Sequence, residues 1–184
     1  MDMQPISGGF ADAPRQSALA FRAIIDVMSR PGQLATLQGA TPPAPLSVAA
    51  GTVILTLADA NTGIHLAGDL DSPALRQWIA FHTGAPITTA DRADLAIGTW
   101  ADLHPLDRYR TGTAEYPDRS ATLIVELGET PAPNASLTGP GIKDRIAAFV
   151  PGARPTSFPL GLDLILTAGA QVSALPRSTQ VEFA

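Results

Sequence analysis

The sequence contains no cysteine and only one lysine, Lys143. The absence of cysteine excludes disulfides, thiolate metal ligands and a cysteine nucleophile, and it favours an intracellular location. A pyridoxal phosphate cofactor bound through lysine would have to use Lys143, because no other lysine is present. Lys143 lies in a predicted turn rather than beside a predicted cofactor pocket, so we predict no such cofactor.

Basic residues are few and scattered along the chain. The 12 Lys and Arg residues against 17 Asp and Glu residues give a net charge of -5, which argues against a nucleic-acid partner. No apolar run approaches the roughly 18 residues of a membrane span, and the N-terminus lacks the features of a signal peptide. We therefore expect a soluble protein without a membrane partner.

Apolar residues, in contrast, are abundant. They make up 45% of the 184 residues, whereas charged residues make up 16%. This balance is high for an isolated soluble domain and suggests that another subunit covers part of the surface. The length predicts a single domain over residues 1–184, with residues 1–13 as a loose N-terminal arm.

The common catalytic signatures are missing. His65, His82 and His104 form no HExxH pair, and no GxSxG elbow occurs, so we assign neither a metal site nor catalytic residues. The segment from Thr138 to Lys143 resembles a phosphate-binding loop, since it combines two glycines with a lysine. It lacks the spacing of the known phosphate loops, and a plain tight turn is the favoured interpretation.

Apolar spacing predicts two helices. Residues 14–30 form the first, with an apolar stripe of Phe21, Ile24, Ile25 and Met28. Ser72 and Pro73 predict the start of the second helix and Gly84 its end. His82 lies in its last turn, where it either caps carbonyls and packs in the core or contacts a ligand, and the structural role is favoured.

Short β-branched and apolar runs predict strands between and after these helices. They are residues 52–58 paired with 64–66 in a hairpin, and then residues 94–98, 121–127 and 135–138. Residues 142–150 are predicted to form one or two helical turns.

The C-terminal part of the chain predicts a β-hairpin. Leucines alternate with other residues from Leu160 to Leu166, which indicates a strand with one buried face, and residues 168–170 form a three-residue loop. In this register Thr167 faces Gln171, and Asp163 and Arg177 become diagonal neighbours. A structural ion pair between them is favoured over a pair of groups that binds a ligand or partner.

Several blocks of sequence occur together in one order along nearly the whole chain, and they resemble the PhnH family of the carbon-phosphorus lyase system. These blocks are residues 21–32, 55–59, 81–86, 111–114, 137–142, 158–167 and 176–179. The resemblance implies an α/β fold with a mixed sheet flanked by helices, similar to the pyridoxal-phosphate-dependent transferases but without the cofactor. It implies a cytoplasmic homodimer that joins a core complex with the G, I and J subunits.

The resemblance also implies a role in forming ribose 1-methylphosphonate 5-triphosphate from ATP and methylphosphonate. The family has no agreed catalytic residues to transfer to this chain. We favour a non-catalytic, structural subunit. The alternative is a subunit that contributes directly to an ATP or phosphonate site. The candidate ligand or interface residues are His82, Thr83, Gly112, Thr113, Thr138, Gly139, Gly141, Asp163 and Arg177.

Overall fold

The computed structural model describes residues 6–184, without the side chain of Thr156. This part of the chain forms three α-helices and eleven β-strands in a mixed α/β arrangement, which confirms the predicted class. The helices are α1 (Ala13–Ser29), α2 (Val48–Leu57) and α3 (Pro73–Thr83). The strands are β1 (Ala35–Thr36), β2 (Ile64–Leu66), β3 (Leu95–Thr99), β4 (Thr122–Glu126), β5 (Ala135–Thr138), β6 (Ile146–Ala148), β7 (Thr156–Ser157), β8 (Leu160–Gly161), β9 (Asp163–Ala168), β10 (Gln171–Leu175) and β11 (Gln180–Phe183).

The main sheet has six strands in the order β1-β10-β9-β4-β3-β2. Strands β2, β3, β4 and β9 are parallel, whereas β10 is antiparallel to β9 and to β1. The central strands are almost continuously apolar because both faces of the sheet are covered. A smaller antiparallel sheet has the order β11-β5-β6, and β7 pairs with β8.

The main sheet separates two apolar cores. The core on the helix side combines residues of the three helices with one sheet face, and it includes Ile24, Val53, Trp78, Ile97, Ile124 and Ile165. The other core lies between the opposite face and the small sheet, and it includes Leu123, Leu137, Val150, Leu164 and Leu175. Each covering layer buries one face of the sheet, as expected for a layered α/β domain.

The buried face of α1 differs from the predicted stripe. The helix buries Ala20, Ile24 and Val27, whereas Phe21 and Ile25 are 48% and 49% exposed. Residues at i, i+4 and i+7 therefore face the core here. The prediction correctly included Ile24 and also Met28, which packs against the core, but Phe21 and Ile25 lie outside the buried face.

The prediction of a strand over residues 52–58, and of a hairpin with residues 64–66, was wrong. Helix α2 covers this run, and the Ser47 side chain caps it by accepting from the Ala50 amide at 3.1 Å. The hydroxyls of Thr52 and Thr56 donate to carbonyls four residues earlier. A helix buried on most sides is apolar on most faces, so its sequence resembles that of a buried strand.

The prediction for α3 was correct. The Ser72 side chain accepts from the Leu75 amide, and the helix ends at Gly84, whose φ of 70° is left-handed. The strands expected at residues 94–98, 121–127 and 135–138 are present as β3, β4 and β5.

The C-terminal hairpin is present, but its register differs by one residue from the predicted one. Thr167 pairs with Val172, not with Gln171, and the turn consists of Gly169 and Ala170 alone. Leu164 and Leu166 belong to the small-sheet core, whereas Ile165 belongs to the helix-side core. The strand is therefore buried on both faces, not on one, because the helices cover one face of the main sheet and the small sheet covers the other.

The helical turns predicted over residues 142–150 are absent, because Ile146–Ala148 forms strand β6 beside β5. The described part of the predicted loose arm is attached to the fold. Trp78 Nε1 donates to the Ser7 carbonyl at 2.9 Å, and the Thr41 amide donates to the Gly8 carbonyl at 2.8 Å. Residues 1–5 of the arm lie outside the described residues.

Candidate functional site

An ion pair stands at the open end of the β9–β10 hairpin. Asp163 begins β9, and Arg177 follows the end of β10 by two residues. Arg177 Nε donates to Asp163 Oδ1 and Oδ2 at 3.2 and 3.0 Å, and the Arg177 amide donates to Oδ1 at 2.6 Å. The side chains are only 13% and 15% exposed, so the predicted pairing is present in a largely dry environment.

The ion pair is also tied to the loop at residues 111–117. Arg177 Nη1 donates to the Pro117 carbonyl at 2.7 Å. Gly112 has a φ of 84°, and a Cβ atom there would lie 2.7 Å from the same carbonyl oxygen, so only glycine allows this approach. Thr113 is exposed, and its hydroxyl accepts from the Tyr116 amide at 3.1 Å.

A second arginine, Arg154, lies beside this pair. Its Nη1 donates to the Leu162 carbonyl at 2.6 Å, and its Nη2 donates to the Pro176 carbonyl at 2.7 Å. The pKa of Arg154 is lowered to about 10, mainly by burial. The positive charge of Arg177 also lowers this pKa, and the negative charge of Asp163 raises it. Arg154 therefore remains positively charged at neutral pH, and among the described residues its Nε has no hydrogen-bond partner.

The two arginines line one pocket, which we call the two-arginine pocket. Its volume is about 310 Å³. Thr179 is 4% exposed, and its Oγ1 is buried without a partner among the described residues. The lining residues are Gly152, Ala153, Arg154, Phe158, Arg177, Ser178, Thr179, Gln180, Val181 and Phe183. The pocket is therefore lined by two arginines and two phenylalanines, and the unpaired Thr179 hydroxyl lies enclosed behind this lining.

The turn at residues 138–141 joins this region to α1. Thr138 pairs with Gln180 across β5 and β11, and a Cβ atom on Gly139 would lie 3.2 Å from the Ser178 carbonyl oxygen. A Cβ atom on Gly141 would lie 1.9 Å from the carbonyl oxygen of Ser29. The Ile142 amide donates to the Gly139 carbonyl at 3.1 Å, as in a tight turn.

His82 and Thr83 lie elsewhere, in the last turn of α3. The His82 ring contacts the rings of Trp78 and Phe81 edge-on, with centroids 5.0 Å apart in each case. Its Nε2 is buried without a partner among the described residues. The Thr83 hydroxyl donates to the Ile79 carbonyl at 2.7 Å. These contacts are those of packing and helix termination.

The structure thus brings some of the predicted residues together and leaves others apart. Asp163 and Arg177 meet the Gly112 loop, and Gly139 packs against the chain just after Arg177. Of the predicted residues, Arg177 lines the two-arginine pocket. The predicted residues that do not line it are His82, Thr83, Gly112, Thr113, Thr138, Gly139, Gly141 and Asp163.

Sequence reasoning missed Arg154 and Thr179. Arg154 lies in a Gly- and Pro-rich segment without periodicity, and Thr179 lies in the turn before β11. Neither position has a local pattern that identifies a site. Two signals were available: an isolated arginine between alanine and proline in a chain with few basic residues, and the position of Thr179 in the family block of residues 176–179.

A second polar cluster, also missed, lies at the carboxyl end of β4. Glu126 Oε1 accepts from the hydroxyls of Ser47 and Thr167 at 2.6 and 3.1 Å, and from the Ser47 amide at 3.3 Å. Burial raises the pKa of Glu126, and these hydrogen bonds lower it by less. The signal was a carboxylate at the carboxyl end of a buried parallel strand.

The described part of the chain holds neither a cluster of metal-ligating side chains nor a helix that could span a membrane. Within residues 6–184 we find no group of three or more His, Asp or Glu side chains arranged to hold a metal ion. The helices in this part of the chain are too short or too polar to cross a membrane.

Comparison with known proteins gives a consistent result over nearly the whole chain. The family described as bacterial phosphonate metabolism protein (PhnH) matches residues 8–182. The chain is 40% identical to the alpha-D-ribose 1-methylphosphonate 5-triphosphate synthase subunit PhnH of Rhizobium meliloti (strain 1021), covering 97% of this chain and 96% of the relative.

A second relative, from Stutzerimonas stutzeri, is HtxG, which carries the provisional name of a C-P lyase subunit protein. It is 31% identical, over 93% of this chain and 88% of HtxG. The family match includes all residues that line the two-arginine pocket except Phe183. The chain therefore belongs to the PhnH family of bacterial phosphonate metabolism proteins.

Proposed function

We propose that this chain is a subunit of a carbon-phosphorus lyase complex that forms ribose 1-methylphosphonate 5-triphosphate from ATP and methylphosphonate. The observation that carries the proposal is the end-to-end match to a relative named as a subunit of that synthase. Because the match covers 96% of the relative, no additional domain of the relative is needed for the same role.

The principal role in this proposal is assembly, without catalysis by this subunit. Several large apolar side chains are exposed, which supports contact with other subunits. Phe21 and Ile25 lie on the outer face of α1, and Phe81 is 61% exposed near the end of α3. Buried in a complex, these side chains would add to its stability.

The proposal has finer parts that follow the family resemblance. The partners are the G, I and J subunits, the free chain is a cytoplasmic homodimer, and the fold corresponds to that of the pyridoxal-phosphate-dependent transferases without the cofactor. Lys143, the only lysine, is exposed in the turn after Gly141, which is a poor position for an enclosed cofactor.

Co-purification tests the assembly role. The tagged full chain is expressed with the G, I and J proteins of its source organism, and the product is analysed by size-exclusion chromatography with light scattering. We expect one complex that contains all four proteins, and a dimer when the chain is expressed alone. The Rhizobium meliloti relative, treated in the same way with its own partners, is the positive control. A G, I and J complex that forms while this chain elutes separately would contradict the proposal.

One observation favours a second candidate function, a direct contribution to a nucleotide or phosphonate site. That observation is the two-arginine pocket, where Arg154 and Arg177 lie beside the unpaired hydroxyl of Thr179. Paired guanidinium groups are well suited to phosphate and phosphonate oxygens.

A further inference from the structure

We propose that the two-arginine pocket binds the phosphate or phosphonate group of a small organic anion, with Arg154 as the principal cation and with Thr179 as a hydroxyl donor after rotation of its side chain toward the pocket. This inference deepens the second candidate function and rests on the geometry of the pocket, not on membership in a complex. If the pocket binds no anion, the proposed assembly role is not contradicted. If the chain does not join the complex, the proposed anion binding is not contradicted.

The charges around the pocket do not cancel. Arg177 is neutralised by Asp163, which accepts from its Nε and its backbone amide. Arg154 donates to two carbonyl oxygens, and among the described residues it forms no ion pair of its own. A largely buried guanidinium without a carboxylate partner is costly, and an anion in the pocket would reduce that cost.

Around the pocket, Arg154 and Thr179 also carry more hydrogen-bond donors than the protein supplies acceptors for. A guanidinium group has five N–H donors, and Arg154 uses one on each Nη for the carbonyls of Leu162 and Pro176. Its Nε and the Thr179 hydroxyl are both buried without partners among the described residues. Unpaired donors in a protein interior are uncommon. In the proposed complex the Thr179 side chain rotates toward the pocket, where a tetrahedral oxyanion supplies acceptors to the guanidinium and hydroxyl groups.

The size and rim of the pocket indicate an organic anion rather than a bare inorganic ion. The volume of about 310 Å³ is at the lower end of the range for small-molecule sites. Phe158 and Phe183 line the pocket and are 72% and 47% exposed. Exposed aromatic rings beside a cationic pocket provide an apolar surface for the organic part of the ligand.

Calorimetric titration of the purified full chain tests the inference, with ATP, methylphosphonate and inorganic phosphate as probes. We expect saturable binding of ATP or methylphosphonate that is tighter than binding of inorganic phosphate. Binding of ATP alone would identify a phosphate ester as the ligand class, and binding of methylphosphonate alone would identify a phosphonate. Absence of binding for both, or tightest binding of inorganic phosphate, would overturn the proposal.

The variant Thr179→Val separates ligand binding from folding. Because the hydroxyl has no partner in the free protein, its removal should leave the melting temperature unchanged or slightly raised. Loss of one hydrogen bond to a charged ligand should weaken binding about tenfold. Unchanged affinity in this variant would show that Thr179 does not contact the anion.

Arg154→Lys keeps the positive charge but loses the planar fork, so we expect weaker binding here as well. Arg76→Gln is the matched control, because Arg76 is an exposed arginine paired with Asp71 and does not line the pocket. The control should bind as the wild type does. An equal loss of affinity in Arg76→Gln would indicate non-specific attraction of anions and overturn the site.

Discussion

Glu126 keeps its carboxylate in a part of the fold from which water is largely excluded. Its neighbours are the hydroxyls of Ser47 and Thr167, which donate hydrogen bonds but carry no positive charge. Burial raises the pKa of Glu126 above its ordinary value of 4.5, because the charged form is poorly solvated there. The charged form therefore costs stability at neutral pH.

The sign of the pH dependence follows from this shift. An acid whose pKa is raised in the native state binds its proton more tightly when folded, so stability falls as the pH rises from its ordinary value through the native one. Glu126→Gln removes the charge and retains an acceptor for the Ser47 and Thr167 hydroxyls. We expect the stability of the wild type relative to this variant to increase as the pH falls from neutrality toward 4.5.

Urea denaturation over a series of pH values measures this difference. Glu129→Gln is the matched control, because Glu129 is exposed and lies three residues further along the chain. The free energy of unfolding of this control should differ from that of the wild type by an amount that changes little between neutral pH and pH 4.5. If the difference in unfolding free energy between Glu126→Gln and the wild type is equally independent of pH, Glu126 is not a destabilising buried charge.

Helix α1 shows how the position of an apolar face depends on its neighbours. The helix contains apolar residues on more than one side, including the buried Ile24 and the half-exposed Ile25. Contact with α2 and β10 determines which of these sides is covered. The side that carries Phe21 and Ile25 is left for solvent or for another subunit.

The two adjacent isoleucines provide a direct test of this orientation. Ile24→Ala should lower the free energy of unfolding by about 3 kcal/mol, since it empties a buried site. Ile25→Ala should cost less than about 1 kcal/mol, because Ile25 is 49% exposed. The helix propensity changes equally in both variants, so their difference reports burial alone.

Urea denaturation followed by far-UV circular dichroism, at several protein concentrations, gives both values. The range of concentrations is needed because a dimer would make stability concentration-dependent. A larger loss of unfolding free energy for Ile25→Ala than for Ile24→Ala at every concentration would contradict the observed orientation of α1.

At the scale of the whole molecule, the main sheet is shared by both cores. The helix-side core contains Trp78, and Trp100 packs against the core on the opposite side. Leu137 belongs to the small sheet and packs into that second core together with Leu164. Since β9 contributes side chains to both cores, loss of one core should destabilise the other.

Leu137→Ala tests whether the molecule unfolds as one unit. The side chain is 1% exposed, and its truncation should cost about 3 kcal/mol. In a Trp100→Phe background, the fluorescence of Trp78 reports the opposite side of the sheet. We expect this signal and the circular dichroism signal to shift to the same lower midpoint, as in a two-state transition.

The background protein with Leu137 intact is the control for the Trp100 substitution. Two separate midpoints in the Leu137→Ala variant, with Trp78 retaining its original value, would show that the small sheet and the helix layer unfold independently.

The sequence by itself determined the features that depend on local chemistry. Ser72 and Gly84 bounded α3 correctly, because capping groups act within a few residues. The alternating pattern and the glycine turn located the C-terminal hairpin, and with it the pairing of Asp163 and Arg177. The family was also evident from the order of its blocks, and the comparisons confirm it.

Tertiary structure decided what depends on burial and on distant partners. Residues 52–57 belong to α2, which is covered on most sides, and an apolar run alone does not distinguish that environment from a buried strand. The hairpin register depends on how both faces of β9 are covered. Arg154 and Thr179 meet Arg177 only because the segments that carry them fold around the end of the hairpin, and no sequence spacing specifies that contact.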